Sequence, residues 1–255
     1  LPADQRQLGL GGAKVNTTAA SVETYERMIA DLLTDQIEFA NVIIINKCDL
    51  IDETQRGFIE TFLRKLNPSA KLIATTYSNV PLSDILHTQL FDMEEASQMS
   101  GWAQELLRGD HSTHVPETEE YGISSFVYRS RKPFHPARFW RFMQSPWYGV
   151  LRAKGFFWLA SRMEEVGEVS QAGQVRTHGF AGFWYASIPQ DMLSQYTEDD
   201  PEEVKRVIGD HPYGDRVQEI VFIGDDMNQT LLTHSLDACL LTEKEMAQGE
   251  EAWAS

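Results

Sequence analysis

The chain has 255 residues, of which 42% are hydrophobic and 24% charged, a balance typical of a folded globular protein. Its formal net charge of -16 argues against general binding of nucleic acid, which requires clustered lysine and arginine. No apolar run reaches the roughly 18 residues that span a bilayer, and the first residues lack the pattern of a signal peptide. Two distant cysteines, Cys48 and Cys239, provide no disulfide framework, so we expect a cytoplasmic protein without a membrane segment.

The N-terminal stretch is polar, and its segment Gly9–Lys14 superficially resembles a phosphate-binding loop. Such a loop requires Gly-Lys-Ser/Thr after a strand, whereas Lys14 here lies between Ala13 and Val15. We therefore interpret this stretch as a flexible linker. From Ser21 to Phe39, apolar residues recur with the 3.6-residue spacing of an amphipathic helix that packs one face on a sheet.

A strand, a helix and a second strand are predicted next. The apolar run Val42–Ile45 predicts a buried strand, and Asp52 with Gln55 three residues later is a capping pair for a helix. Pro68 ends this helix, because the residue before a proline is pushed out of the helical region. Lys71–Thr76 is the second strand. A βαβ unit of this length has parallel strands, which place their carboxyl ends at one edge of the sheet.

Polar residues follow both strands at that edge, where open α/β sheets bind ligands. Asn46, Lys47 and Asp49 have the Asn-Lys-x-Asp spacing with which guanine-nucleotide proteins recognise their base. An ionised aspartate accepts two hydrogen bonds from the N–H groups of guanine, and adenine offers no such donor pair. Thr75 and Thr76 lie where a second loop would contact the base. The alternatives are an ordinary strand end before an Asp-capped helix and ordinary strand-end hydroxyls.

The rest of the chain predicts a short helix at Val80–Leu86, a polar connector at Ser97–Glu120 and then a small α+β domain rich in aromatic residues. An acidic segment, Thr197–Glu203, precedes another short helix, and we expect Gln248–Ser255 to be frayed. The strands of the α+β domain are predicted at Gly122–Arg129, Val150–Ala160, Gly167–Ala172, Phe183–Ala186 and Arg216–Ile223, and its helices at Pro136–Phe142 and Asn228–Leu236.

Two further patterns contain residue types that can form sites. Asp110–His114 has two histidines, which do not make a complete tetrahedral metal set, so we interpret it as a solvated loop and assign no metal ligands. Between Tyr121 and Met163 there is no acidic residue but there are eight basic ones, interleaved with aromatic residues. These aromatic residues either stack on single-stranded nucleic acid or form the core, with the cations paired to acidic residues; we favour the core.

Four segments carry a resemblance to a known family. Asp35–Leu50, Glu120–Arg129, Lys154–Arg162 and Leu236–Thr242 resemble the CobW-like P-loop GTPases, which include cobalamin-synthesis CobW and zinc-delivering metallochaperones. The resemblance runs from about Thr34 to Glu245. It implies a GTP-binding α/β domain and a smaller C-terminal domain, with GTP hydrolysis coupled to delivery of zinc, cobalt or a related ion to a client metalloprotein.

This sequence departs from the family in the motifs that bind the GTP phosphates and the metals. The family's Walker A loop, its Cys-x-Cys-Cys motif and its magnesium-binding acidic strand are absent from these residues. GTP and magnesium therefore require a missing N-terminal part, and we expect the chain alone to be inactive, with no catalytic residue assigned.

We predict an α/β fold, a partial parallel-sheet P-loop GTPase domain followed by a smaller α+β domain. The expected divisions are the C-terminal half of the GTP-binding domain over residues 1–95, a connector over 96–117, the C-terminal domain over 118–245 and a tail over 246–255. The alternative function is a non-enzymatic module whose aromatic-basic domain docks a client protein or an acidic ligand.

Overall fold

The computed structural model describes residues 32–92, 121–189, 192 and 208–253. The helices are α1 (residues 32–38), α2 (Glu53–Leu66), α3 (Pro136–Gln144), α4 (Gln229–Asp237), α5 (Glu243–Met246) and α6 (Glu250–Trp253). The strands are β1 (Val42–Ile45), β2 (Lys71–Ala74), β3 (Ile123–Ser130), β4 (Val150–Leu159), β5 (Arg162–Ala172), β6 (Val175–Phe183) and β7 (Gln218–Asp225). Three-residue 3₁₀ turns lie at Cys48–Leu50, Leu82–Asp84 and Tyr185–Ser187.

The βαβ unit predicted from the sequence is confirmed, but β1 is not the buried strand that was predicted, because its residues are half-buried and Ile44 is exposed. β1 and β2 are parallel, with Val42 opposite Lys71 and Ile45 opposite Ala74. The N-cap of α2 is a reciprocal capping box between Asp52 and Gln55, so this end of the helix is set by local sequence. The short helix predicted near residue 82 is a single 3₁₀ turn.

The second sheet has five antiparallel strands in the order β3-β7-β4-β5-β6. Side chains alternate between its two faces, so each face builds its own core. On one face α3 and α4 pack over aromatic side chains that include Phe134, Phe157 and Phe222. The prediction of an α+β domain after the parallel strands is therefore confirmed.

The other face of this sheet packs against the βαβ unit. Val221 and Ile223 of β7 are buried together with Leu66 of α2. Phe62 and Phe58, one and two turns before Leu66 on α2, pack against the same cluster. The apolar stripe of α2 thus joins the βαβ unit to the antiparallel sheet.

Two predicted boundaries are wrong around β5 and β6. β5 begins at Arg162 rather than at Gly167. The strand predicted at Phe183–Ala186 is instead the end of β6 and a 3₁₀ turn. The turn forms because the Asp215 carboxylate accepts the backbone N–H groups of residues 185 and 186, while the buried Trp184 ring donates to the carbonyl of Glu165.

The C-terminal end is also more ordered than predicted. α6 ends in Trp253, whose side chain is 8% exposed and packs with Ala160 and Leu241. The indole N–H of Trp253 donates to the carbonyl of Glu245 across 2.7 Å. The expectation of fraying is therefore wrong as far as Trp253, because one aromatic side chain anchors a short helix.

Several predictions fall outside the described residues. They concern Gly9–Lys14, the first eleven residues of the predicted helix that starts at Ser21, the connector over 96–117, the histidine-containing Asp110–His114 and the acidic Thr197–Glu203. Within the described residues, no helix has both the length and the apolar character needed to cross a membrane.

Candidate nucleotide site

The loop after β1 exposes the side chains of the Asn-Lys-x-Asp motif. Lys47 adopts a left-handed backbone conformation, with φ 64° and ψ 33°, and precedes the 3₁₀ turn Cys48–Leu50. The turn is closed by a hydrogen bond from the backbone N–H of Leu50 to the carbonyl of Lys47, across 3.0 Å. As a result Asn46, Lys47 and Asp49 are all exposed at the carboxyl end of β1.

The loop after β2 is joined to this one by the backbone. The N–H of Cys48 donates to the carbonyl of Thr75 across 3.1 Å, and the N–H of Thr75 donates to the carbonyl of Ile45 across 2.9 Å. The Thr75 side chain is buried, and its hydroxyl donates to the carbonyl of Asn79. Thr75 therefore supports the loop from within, whereas Thr76 is only half-buried.

Asn46 braces the two loops through its side chain. Its amide donates to the hydroxyl of Ser78 across 2.9 Å, and its carbonyl oxygen accepts the backbone N–H of Ser78 across 2.9 Å. Tyr77 and Ser78 both have positive φ, which turns the second loop back toward Asn46. The contact between Ser78 and Asn46 was not predicted from the sequence, since it depends on a turn that no local motif predicts.

Lys47 and Asp49 are the side chains left for a ligand. Neither makes a side-chain hydrogen bond or ion pair with any other part of the chain that the structure describes. An exposed carboxylate at the end of a strand can accept two parallel N–H donors, and the lysine stem can cover an aromatic base. The arrangement thus fits a purine that carries adjacent N–H groups.

The two cysteines contribute to packing. Cys48 is half-buried, and its thiol donates to the carbonyl of Ile45. Cys239 is buried, and its burial raises the pKa of its thiol to about 11. Among residues 32–92, 121–189 and 208–253, no three histidine, cysteine or acidic side chains are grouped as a metal site.

The basic segment between residues 121 and 163 forms a core with internal ion pairs, as predicted. Of its aromatic residues Tyr128, Phe134, Trp147 and Trp158 are buried, whereas Trp140 is exposed. Its cations pair with carboxylates in Arg129–Glu219, Lys132–Glu243, Arg138–Glu245, Arg152–Glu38, Lys154–Glu38 and Arg162–Glu165. Those buried rings are not available for stacking on bases.

Two family models match this chain. Residues 13–74 match the CobW/HypB/UreG nucleotide-binding domain, and residues 123–240 match the cobalamin synthesis protein cobW C-terminal domain. The crystal structure of the Zn(II)-bound YjiA GTPase from E. coli is similar with a TM-score of 0.41 and 17% identity, over 86% of this chain and 58% of that one.

Two of the similar proteins have names that mention zinc. The zinc-regulated GTPase metalloprotein activator 1 of Dictyostelium discoideum is 44% identical over 232 residues, which are 89% of this chain and 47% of the relative. A Mycobacterium tuberculosis zinc chaperone is 24% identical over 230 residues, 90% of this chain and 53% of its own length. The chain thus spans about half the length of these relatives. Because the two domain matches follow each other in order and together take in most of its length, the chain belongs to the CobW family.

Proposed function

We propose that this chain carries the guanine-recognising half and the C-terminal domain of a GTP-dependent metallochaperone. The observation that carries the proposal is the exposed Lys47 and Asp49 pair at the end of β1, held by the brace between Asn46 and Ser78. The names of the zinc-related relatives support zinc as the cargo, with cobalt as the alternative, and a client metalloprotein as the recipient.

In this proposal Asp49 selects the base. Its carboxylate accepts the ring and exocyclic N–H groups of guanine, and adenine would leave it without donors, which is costly in a partly desolvated site. The stem of Lys47 lies along the base plane while its ammonium stays in water. The loop of Thr75 and Thr76 approaches the oxygen of the base through its backbone.

This sequence lacks the motif that binds the phosphates and magnesium in P-loop GTPases. The 255 residues contain no Gly-x-x-x-x-Gly-Lys-Ser/Thr sequence, and we assign no residue here to phosphate or magnesium. We therefore expect no GTP turnover above a buffer control from the chain alone. In the complete GTPase, residues outside this sequence would hydrolyse GTP and bind the magnesium and the cargo metal. We place this activity in the cytoplasm.

The domain divisions stay part of the proposal. Residues 1–95 would form the C-terminal half of the nucleotide domain, 96–117 would connect it to the C-terminal domain over 118–245, and 246–255 would form a tail that Trp253 anchors to the C-terminal domain. The packing of α2 on β7 supports a C-terminal domain that is tightly joined to the nucleotide domain.

The experiment is a comparison of GTP and ATP binding by this chain, with and without the part of the Dictyostelium relative that the chain does not cover. Mixed with that part, the chain should bind GTP in preference to ATP, and Asp49→Ala should abolish the preference. Equal binding of the two nucleotides, unaffected by Asp49→Ala, would contradict the proposal.

A second candidate is an interaction module that docks a client protein or an acidic ligand. The exposed Trp140, Phe180 and Phe183 favour it, because aromatic side chains on a surface are typical of binding sites. This role requires no nucleotide. Binding of a partner that is unaffected by Asp49→Ala would support this candidate over the first.

A further inference from the structure

β6 is an edge strand with an open side. It spans nine residues, and within the described parts of the chain only β5 pairs with it. The outer edge of such a strand presents backbone N–H and C=O groups to which another extended segment can add. Folded proteins usually protect a long edge with charged side chains or proline, and β6 contains no proline.

The one charged residue of β6 does not protect its edge. The guanidinium of Arg176 lies 3.5 Å from the centre of the Trp147 ring and donates to the carbonyls of Met143 and Ser145, at the end of α3. Its burial lowers the pKa of Arg176 to about 10. The cation is therefore directed inward, and the exposed part of β6 is uncharged.

An aromatic row lies beside this edge on the side of α3. Trp140, Phe180 and Phe183 are 51%, 56% and 59% exposed. The Trp140 and His178 rings meet edge to face at 5.5 Å, and the Phe180 and Phe183 rings do so at 5.1 Å. His178 and Phe180 are two residues apart in a strand and share a face. The row thus offers apolar surface to every second residue of an added strand.

The opposite side of the edge is small and acidic. Gly179 leaves this side of β6 open, and the Glu168 carboxylate reaches over it, with Oε1 3.3 Å from where a Cβ of Gly179 would lie. Glu168 is exposed and has no ion-pair partner in the described part of the chain. A cationic side chain at the alternate positions of an added strand would meet this carboxylate.

We propose that the β6 edge docks an extended segment of a partner protein in which apolar residues alternate with lysine or arginine. The apolar residues pack on Trp140 and Phe180, the cations face Glu168, and the backbone adds as a sixth strand. The net charge of -16 favours a basic partner and disfavours a second copy of the chain. This proposal rests on the interaction role offered above as the second candidate and does not depend on guanine recognition.

The test uses three synthetic peptides and the 255-residue chain. The first alternates lysine with valine or phenylalanine, the second replaces each lysine by glutamate, and the third is the first with N-methylated backbone amides. Calorimetry should show saturable binding of the lysine peptide. The glutamate peptide should bind about tenfold or more weakly because of Glu168, and the N-methylated one should not bind because it cannot pair with the edge.

Variants of the chain locate the binding. Phe180→Ser and Glu168→Gln should each weaken the lysine peptide severalfold. Leu231→Ser, at an equally exposed leucine of α4, should leave binding unchanged. Circular dichroism and thermal unfolding establish that each variant is folded.

Three results of the peptide experiment would overturn the proposal. They are no binding of the lysine peptide, equal binding of the N-methylated peptide, and unchanged binding to folded Phe180→Ser. A dimer in sedimentation that Phe180→Ser disperses would also overturn it, since the edge would then hold a second copy. None of these outcomes bears on guanine recognition, which is measured at Asp49.

Discussion

The side chains of Arg152 and Glu38 form a buried ion pair, with Nε and Oε1 2.8 Å apart and the two side chains 4% and 2% exposed. Glu38 ends α1, just before β1, and Arg152 lies on β4, so the pair joins the βαβ unit to the antiparallel sheet. Arg152 also donates to the hydroxyl of Ser170 and the carbonyl of Gln171. The second oxygen of Glu38 lies 3.7 Å from Nζ of Lys154.

Removing one partner of this pair should be strongly destabilising. Arg152→Ala leaves the carboxylate of Glu38 buried without its main partner, and we expect the free energy of unfolding to fall by about 3 kcal/mol. Replacing both residues, in Glu38→Leu with Arg152→Met, should restore much of that loss. Urea unfolding of the single and double variants measures this, and a single variant within experimental error of the wild type would disprove the structural role.

Gly155 should not tolerate a side chain. A Cβ at this position would collide with the carbonyl oxygen of Glu219 and lie 2.6 Å from the Cα of Ile220, on the neighbouring strand β7. Because these are backbone atoms of a central strand, Gly155→Ala should cost about 2 kcal/mol or more. Gly179→Ala is the matched control on edge strand β6, where only the movable Glu168 carboxylate is near. Equal melting temperatures for the two variants would contradict this packing.

Glu245 should make stability depend on pH in the acid range. Hydrogen bonds from Arg138 and then Thr242 hold the pKa of Glu245 well below its usual range. A carboxylate whose pKa is lower in the folded state stabilises the protein above the unfolded pKa, about 4.3, and loses this contribution as pH falls toward the folded value.

Urea unfolding of wild type and Glu245→Gln between neutral pH and pH ~3 tests this. The stability advantage of the wild type over Glu245→Gln should shrink as the pH falls below the pKa of an ordinary glutamate. Arg138→Ala should remove most of the same pH dependence. A constant difference between wild type and Glu245→Gln at all pH values would be inconsistent with the ion pair.

The brace between Asn46 and Ser78 should be visible in amide exchange. Asn46→Ala removes the acceptor of the Ser78 N–H, and we expect this amide to exchange roughly threefold to tenfold faster, as for the loss of one hydrogen bond. Asn46→Asp retains an oxygen acceptor and should keep the amide protected. Unchanged exchange in Asn46→Ala would show that the second loop holds its turn without Asn46.

Elements set by local sequence were predictable. The capping box of Asp52 and Gln55 and the apolar run Val42–Ile45 need only neighbouring residues, and both were located correctly. The Asn-Lys-x-Asp motif likewise lies at the strand end where it was expected. Whether it recognises guanine stays a prediction that neither the fold nor the relatives test.

Features that depend on distant residues were not predictable. Glu38 and Arg152 are 114 positions apart and carry no local signal of their contact. The turn at Tyr185 exists because of Asp215, and Trp253 is anchored by a pocket formed from other elements. β6, with its glycines and without apolar alternation, has no strand signal and is held by pairing with β5.

The central claim, that Asp49 recognises guanine, can be tested with nucleosides, which need no phosphate site. Saturation-transfer NMR on the 255-residue chain should detect guanosine and not adenosine. Asp49→Asn offers an N–H donor in place of one carboxylate acceptor, and xanthosine carries an oxygen where guanosine carries its amino group. The variant should therefore lose guanosine and gain xanthosine. Equal signals from guanosine and adenosine in the wild type, unchanged in Asp49→Asn, would contradict the account.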